Sequence, residues 1–203
     1  MSGHDDLHPI RARPQRLHRR QVLAGGIGAL GLGLGLGFAP GPARATPVPS
    51  EVQAALPGAR LQGRGQLRFL GLRVYEARLW VGSQPADAAD WQVPMALELE
   101  YLRALQGPKI AERSLVEMRR QADIAPAAAE RWLASMTRMF PDVNAGDRLT
   151  GFKQPGQFAR FYFNGRPTGE VRDPDFARLF FGIWLAPQTS EPALRQALLG
   201  QRP

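Results

Sequence analysis

Between Met95 and Ala122 the spacing of the apolar residues changes from two to about 3.6, and no single kind of secondary structure serves both stretches. Met95, Leu97, Leu99 and Tyr101 alternate with Ala96, Glu98 and Glu100, so Met95–Leu102 reads as a strand with one buried and one wetter face. Ala111, Leu115, Met118 and Ala122 then recur at helical spacing, and a second helix runs from Pro126 to about Phe140 with Trp132, Leu133 and Met136 on its apolar side. Pro141 ends it. The chain must therefore pack helices against a sheet.

Turn chemistry on either side extends the pattern. Leu61–Leu70 and Leu72–Val81 read as strands joined at Gly71. Gln154-Pro155-Gly156-Gln157 separates strands Arg148–Lys153 and Phe158–Phe163, and Asn164-Gly165 leads into a strand near Pro167–Arg172. Helices follow at Pro174–Leu185, capped by Asp173, and at Glu191–Leu199, capped by Ser190 and stopped by Gly200. Strands, two helices, more strands and two helices make an α+β domain with a largely antiparallel sheet.

Residues 1–45 read as an export signal: a basic stretch, the apolar run Val22–Phe38 and the small-residue site Ala43-Arg44-Ala45. Arg19-Arg20 followed by Gln21-Val22-Leu23 resembles the twin-arginine signature, which implies the twin-arginine export machinery as a partner and a periplasmic or otherwise exported location. Val22–Phe38 is shorter than the roughly 20 residues of a membrane anchor and rich in glycine, so a stable anchor is not expected. Gly26, Gly28 and Gly31 satisfy a dinucleotide-binding spacing without the strand and helix that would give it meaning. Residues 46–59 are then a linker and lead-in, and 60–203 the working domain.

Cleavage after Ala45 would remove all three histidines, His4, His8 and His18, from a chain that has no cysteine. The remaining domain can build neither a Ser-His-Asp triad nor a cysteine nucleophile, and it offers no nitrogen or sulfur ligand for zinc or haem. A carboxylate site at Asp173-Pro174-Asp175 is better read as a helix cap, so no metal and no cofactor is expected. The net charge falls from +8 to +4 with the leader, which gives no reason to expect nucleic acid.

The first hairpin carries the candidate chemistry. A tight turn at Leu70-Gly71 with regular pairing sets Arg68 opposite Arg73, Gln66 opposite Tyr75 and Arg64 opposite Ala77. Arg64, Arg68, Arg73 and Tyr75 then share one face, which continues into the apolar Ala77, Leu79 and Val81. An arginine buried there needs an anion, and a tyrosine hydroxyl beside it supplies a second donor to a carboxylate. A one-residue slip of register would scatter the group. Trp132, Trp184, Phe161, Phe163, Phe180 and Phe181 are expected in the core, with some lining a cleft, and Lys109 is expected on the surface.

From about Leu61 to Gly200 the sequence resembles the bacterial chalcone isomerase-like proteins. The resemblance rests on Gly63-x-Gly65-x-x-Arg68, Val74-Tyr75-x-Ala77-x-Leu79, Phe140-Pro141-Asp142-Val143-x-x-Gly146-Asp147, Phe163-Asn164-Gly165 with Gly169 and Asp173, and Phe180-Phe181-Gly182-Ile183-Trp184-Leu185. It implies an open-faced sandwich, an antiparallel sheet covered on one face by a layer of helices, with a ligand cleft between them. The plant enzymes of that superfamily cyclise a chalcone with a strand arginine and several hydroxyls, whereas its fatty-acid-binding members hold a carboxylate with an arginine and a tyrosine. Tyr75 stands where the enzymes have a threonine, Phe181 where a hydroxyl precedes Gly182-Ile183, and Lys109 or Ile110 near the enzymes' tyrosine. The expected function is thus non-catalytic binding of a small amphipathic acid such as a fatty acid, on Tyr75 and Arg68 or Arg64. An intramolecular lyase of chalcone isomerase type is the alternative, and an assembly partner with a vestigial cleft a third.

Overall fold

The computed structural model describes residues 46–87 and 90–201; the expected leader, with its arginine pair, apolar run and expected cleavage site, lies outside them. The elements run α1 (Ser50–Ala55), β1 (Arg60–Phe69), β2 (Leu72–Val81), β3 (Met95–Tyr101), α2 (Gly107–Met118), α3 (Pro126–Met139), β4 (Arg148–Gln154), β5 (Phe158–Phe163), β6 (Arg166–Val171), α4 (Pro174–Leu185) and α5 (Pro192–Leu198). The strands form a six-stranded antiparallel sheet in sequential order, β1 to β6. This is the α+β architecture the change of period predicts.

Alternation sends Leu79, Val81, Met95, Leu97, Leu149 and Phe161 to the face covered by α2 to α5, where they join one core with Met118, Met136, Phe176, Phe181 and Leu185. The paired glycines of the first strand have a packing reason. A Cβ on Gly63 would lie 2.2 Å from the Ala197 carbonyl oxygen, and one on Gly65 would lie 2.6 Å from Leu194, so only glycine lets α5 lie against β1. The acidic motif residues are local fasteners. Asp142 accepts from the Gly107 N–H at the start of α2, Asp147 accepts from the Asn144 N–H and the Asn164 side chain, and Asp173 caps α4 while accepting from the Trp132 indole.

Three boundaries differ from the sequence reading. Helix α2 stops at Met118 and leaves Ala122 outside, where the Gln121 side chain donates to the Leu179 carbonyl. Glu191, not Ser190, is the N-cap of α5, with Pro192 at its first position. The expected lead-in contains α1, whose Val52, with Leu56 just after the helix, packs on Trp80, Ala96 and Phe152 of the sheet's other face. That face also buries charge. Glu98 accepts from Arg78, Arg148 and the Trp80 indole, and Glu51 of α1 accepts from Thr150, so each buried carboxylate is compensated.

Candidate functional site

Between the sheet and helices α2 and α4 lies a cavity of about 320 Å³. Its floor is laid by cross-strand rows. Leu67, Tyr75 and Tyr101 form one row; Leu99 and Leu149 belong to the next; Leu97, Gly151 and Phe161 to the one beyond. Phe180 and Trp184 of α4 form its roof together with Ile110, Ser114 and Glu117 of α2. Phe161 meets Phe140 and Phe180 edge-on, with ring centres 5.1 and 5.0 Å apart. Arg103, Lys109, Arg113 and Glu191 complete the lining with charge. The site is therefore amphipathic, apolar over the inner rows and polar around the tyrosines and the charged side chains.

The tyrosines hold the boundary between the two regions. The Tyr75 hydroxyl accepts a hydrogen bond from the Trp184 indole N–H at 2.9 Å, and its own proton meets no acceptor among the described residues. Tyr101, edge-on to Tyr75 at 5.9 Å, likewise donates to no described group. Burial pushes the Tyr75 phenol far above its ordinary range; the Trp184 bond opposes this, and the nearby Glu191 and Glu117 carboxylates add to it. Burial, reinforced by Tyr75, raises Tyr101 in the same direction. Both phenols stay protonated at neutral pH, so they act as hydrogen-bond donors and not as bases. Glu117, buried on α2, pairs with Arg113, while its Oε2 accepts no hydrogen bond and lies 3.6 Å from Arg120.

The structure brings Tyr75 to this cavity but separates it from both candidate arginines. Leu67 pairs with Tyr75 although Arg68 pairs with Arg73, so Val74 is an extra residue on β2, a bulge that shifts the remaining register by one. Leu67 and Phe69 line the cavity, and alternation turns Arg64, Gln66 and Arg68 to the opposite face, where Arg64 stands across from Arg78. The expected grouping of Arg64, Arg68, Arg73 and Tyr75 is not formed. Its place is taken by residues the sequence reading did not single out for binding. Arg113 and Glu117 sit one helical turn apart with Ser114 between them, polar positions interleaved with the buried Ala111, Leu115 and Met118, and a glutamate on the apolar side of an amphipathic helix is the signal that could have found them. Of the aromatics, Phe161, Phe180 and Trp184 line the cavity, whereas Phe181 is fully buried and packs on Gly151.

A second unusual group lies outside the cavity. Lys153, at an inward position of β4 between Met95 and Ala159, is fully buried. Its ammonium donates to the Trp91 carbonyl at 3.0 Å and sits 4.4 Å above the Trp91 ring. Burial pulls its pKa down to about 7. Among the described residues no cluster of carboxylates could hold a metal ion.

Comparison with known proteins bears on this geometry. A family profile described as chalcone isomerase-like matches residues 45–200. An uncharacterized protein of Haemophilus influenzae is 24% identical over 148 residues, covering 73% of this chain and 72% of its own length. The crystal structure of a fatty-acid binding protein from Arabidopsis thaliana superposes with a TM-score of 0.58 at 16% identity, covering 72% of this chain and 90% of that one. At that identity the likeness is one of fold.

Proposed function

The chain belongs to the chalcone isomerase-like family, and from that premise we propose that it is a non-catalytic binder of a small amphipathic acid, such as a fatty acid. The observation that carries this reading is the polarity gradient of the cavity: apolar rows and aromatic roof on one side, and on the other two phenols with Arg103, Lys109 and Arg113, of which Arg113 is paired with the lining carboxylate Glu117 and Lys109 with Glu112, leaving Arg103 without a carboxylate partner among the described residues. A volume of about 320 Å³ falls in the range of small-molecule sites, about 300–1,000 Å³. The acyl tail lies along Leu97, Gly151, Phe161 and Phe180. The carboxylate accepts from Tyr75 and from a cation of the lining, Arg113 or Arg103, in place of the β1 arginines.

The name of the Arabidopsis neighbour, a fatty-acid binding protein, supports the same class of ligand. The hydroxyl expected before Gly182-Ile183 for cyclisation has no counterpart, since Phe181 fills that position and lies in the core, and this favours binding over catalysis. The leader's twin-arginine signature supports export before the protein works.

Mass spectrometry of small molecules retained by the purified protein tests the reading. Wild type is expected to carry a linear acid that the double variant Tyr75→Phe, Arg113→Gln has lost while remaining folded. Equal recovery from both proteins would remove the site from the cavity.

A further inference from the structure

We propose that the β1–β2 hairpin tip is a membrane-docking element that seats the cavity on an anionic phospholipid bilayer. Three of the four large apolar side chains exposed in the described residues belong to this one turn: Phe69 at 57%, Leu70 at 85% and Leu72 at 54%. A solvated hairpin tip ordinarily carries polar residues. Leu70 is moreover held at φ +48° beside Gly71 at +79°, a left-handed turn that Asn or Gly adopts far more readily than a γ-branched side chain. An apolar residue kept in so unfavourable a place points to a surface that takes it out of water.

Charge identifies that surface. Arg68 and Arg73 face each other directly across the hairpin, and the Leu102 N–H donates to the Val74 carbonyl, which continues the pairing and brings Arg103 to the same end of the sheet. None of these three arginines has a carboxylate partner among the described residues, in contrast to Arg78, Arg148 and Arg160 further along the sheet. Like charges set opposite one another destabilise a hairpin unless counter-charge arrives from outside. Lipid phosphates supply it, while Phe69, Leu70 and Leu72 enter the acyl boundary. Three apolar side chains at the apex with a collar of unpaired arginines behind them match the layering of an anionic bilayer, phosphates outside and acyl chains within, which favours the bilayer as the occupant.

Continuity with the cavity gives the contact a use. Phe69 is exposed and at the same time lines the cavity, as does Arg103, so a docked tip places an apolar lip between the acyl layer and the interior of the site. The mode is peripheral, since no helix among the described residues is long and apolar enough to cross a membrane.

The chain has no cysteine, so single reporter cysteines can be placed at will. An environment-sensitive fluorophore on Leu70→Cys is compared with the same probe on Gln157→Cys, in the β4–β5 turn at the other end of the sheet. Full-length protein is mixed, without added ligand, with vesicles of phosphatidylcholine alone or containing phosphatidylglycerol. The probe at 70 is expected to report an apolar environment only with the anionic vesicles, and the probe at 157 to stay in water. In co-sedimentation Arg68→Gln with Arg73→Gln is expected to weaken binding by about fivefold per charge, an effect that shrinks in high salt. Leu70→Asn, which suits the left-handed turn and so preserves the fold, is expected to weaken it by about tenfold or more. A silent probe at 70, an equal response at 157, or equal binding to neutral vesicles would overturn the proposal, whatever ligand the cavity holds.

Discussion

Replacing Lys153 by methionine should change stability by an amount that depends on pH, and the slope follows from the structure. The amine is fully buried, its hydrogen bond goes to the Trp91 carbonyl, and burial brings its pKa from 10.5 to about 7; Asp90 opposes that fall and Arg178 adds to it. In the unfolded chain the amine returns to its ordinary value. Below pH 7 both states hold the proton, stability has no slope from this group, and the folded protein bears the whole cost of a buried charge. Between pH 7 and 10.5 only the unfolded chain holds it, so stability rises by about 1.4 kcal/mol per pH unit and wild type gains roughly 5 kcal/mol relative to Lys153→Met. Loss of the hydrogen bond to Trp91 adds a constant penalty of about 1–3 kcal/mol to the variant, which shifts the difference without tilting it. Urea unfolding of both proteins at several pH values from 6 to 10 reads this directly. The methionine protein should hold its largest advantage at pH 6 and be overtaken as pH rises. A difference that stays level from pH 7 to 10 would show that the amine keeps its charge inside the fold, and the reasoning would fail.

Tyr75→Phe deprives the Trp184 indole N–H of its acceptor, and thermal unfolding should report about 1–3 kcal/mol of lost stability even without ligand. Gly63→Ala forces a Cβ against the α5 carbonyls, so it should cost at least about 1–3 kcal/mol and expose α5 to proteolysis before the rest of the domain. Arg19→Lys with Arg20→Lys should hold the protein in the cytoplasm if the twin-arginine route is used, and cell fractionation checks this.

The elements of the fold were legible because local signals agreed with one another. Alternation in Met95–Tyr101, Pro126 and Pro174 opening helices, and Asn164-Gly165 turning a hairpin each state their geometry within a few residues. The site was less legible, since it depends on relations between segments. Tyr75 is legible because alternation within its own strand places it on the apolar face. Arg64 and Arg68 fall on its face only in a regular register, which the extra residue Val74 alters, and nothing in the local sequence marks a bulge there. Arg113 and Glu117 are brought to the cavity by helix rotation against a distant sheet. Lys153 lay within a predicted strand, and its inward position became visible only once β4 was paired with β3 and β5. The helix α1 in the expected lead-in is six residues long with Val52 as its one large apolar side chain, too little pattern to read without the sheet it covers.

Affinity against acyl chain length is the measurement that tests the binding reading most directly. Trp184 lines the cavity, so its fluorescence can report titrations with linear acids of increasing length and with the matching alcohols. Each methylene entering the apolar rows should add about 0.8 kcal/mol, roughly a fourfold gain in affinity, until the cavity is full. The acids should bind more tightly than the alcohols at every length, through the cations of the lining. An affinity flat across chain length, or equal for acids and alcohols, would contradict a cavity built for an amphipathic acid.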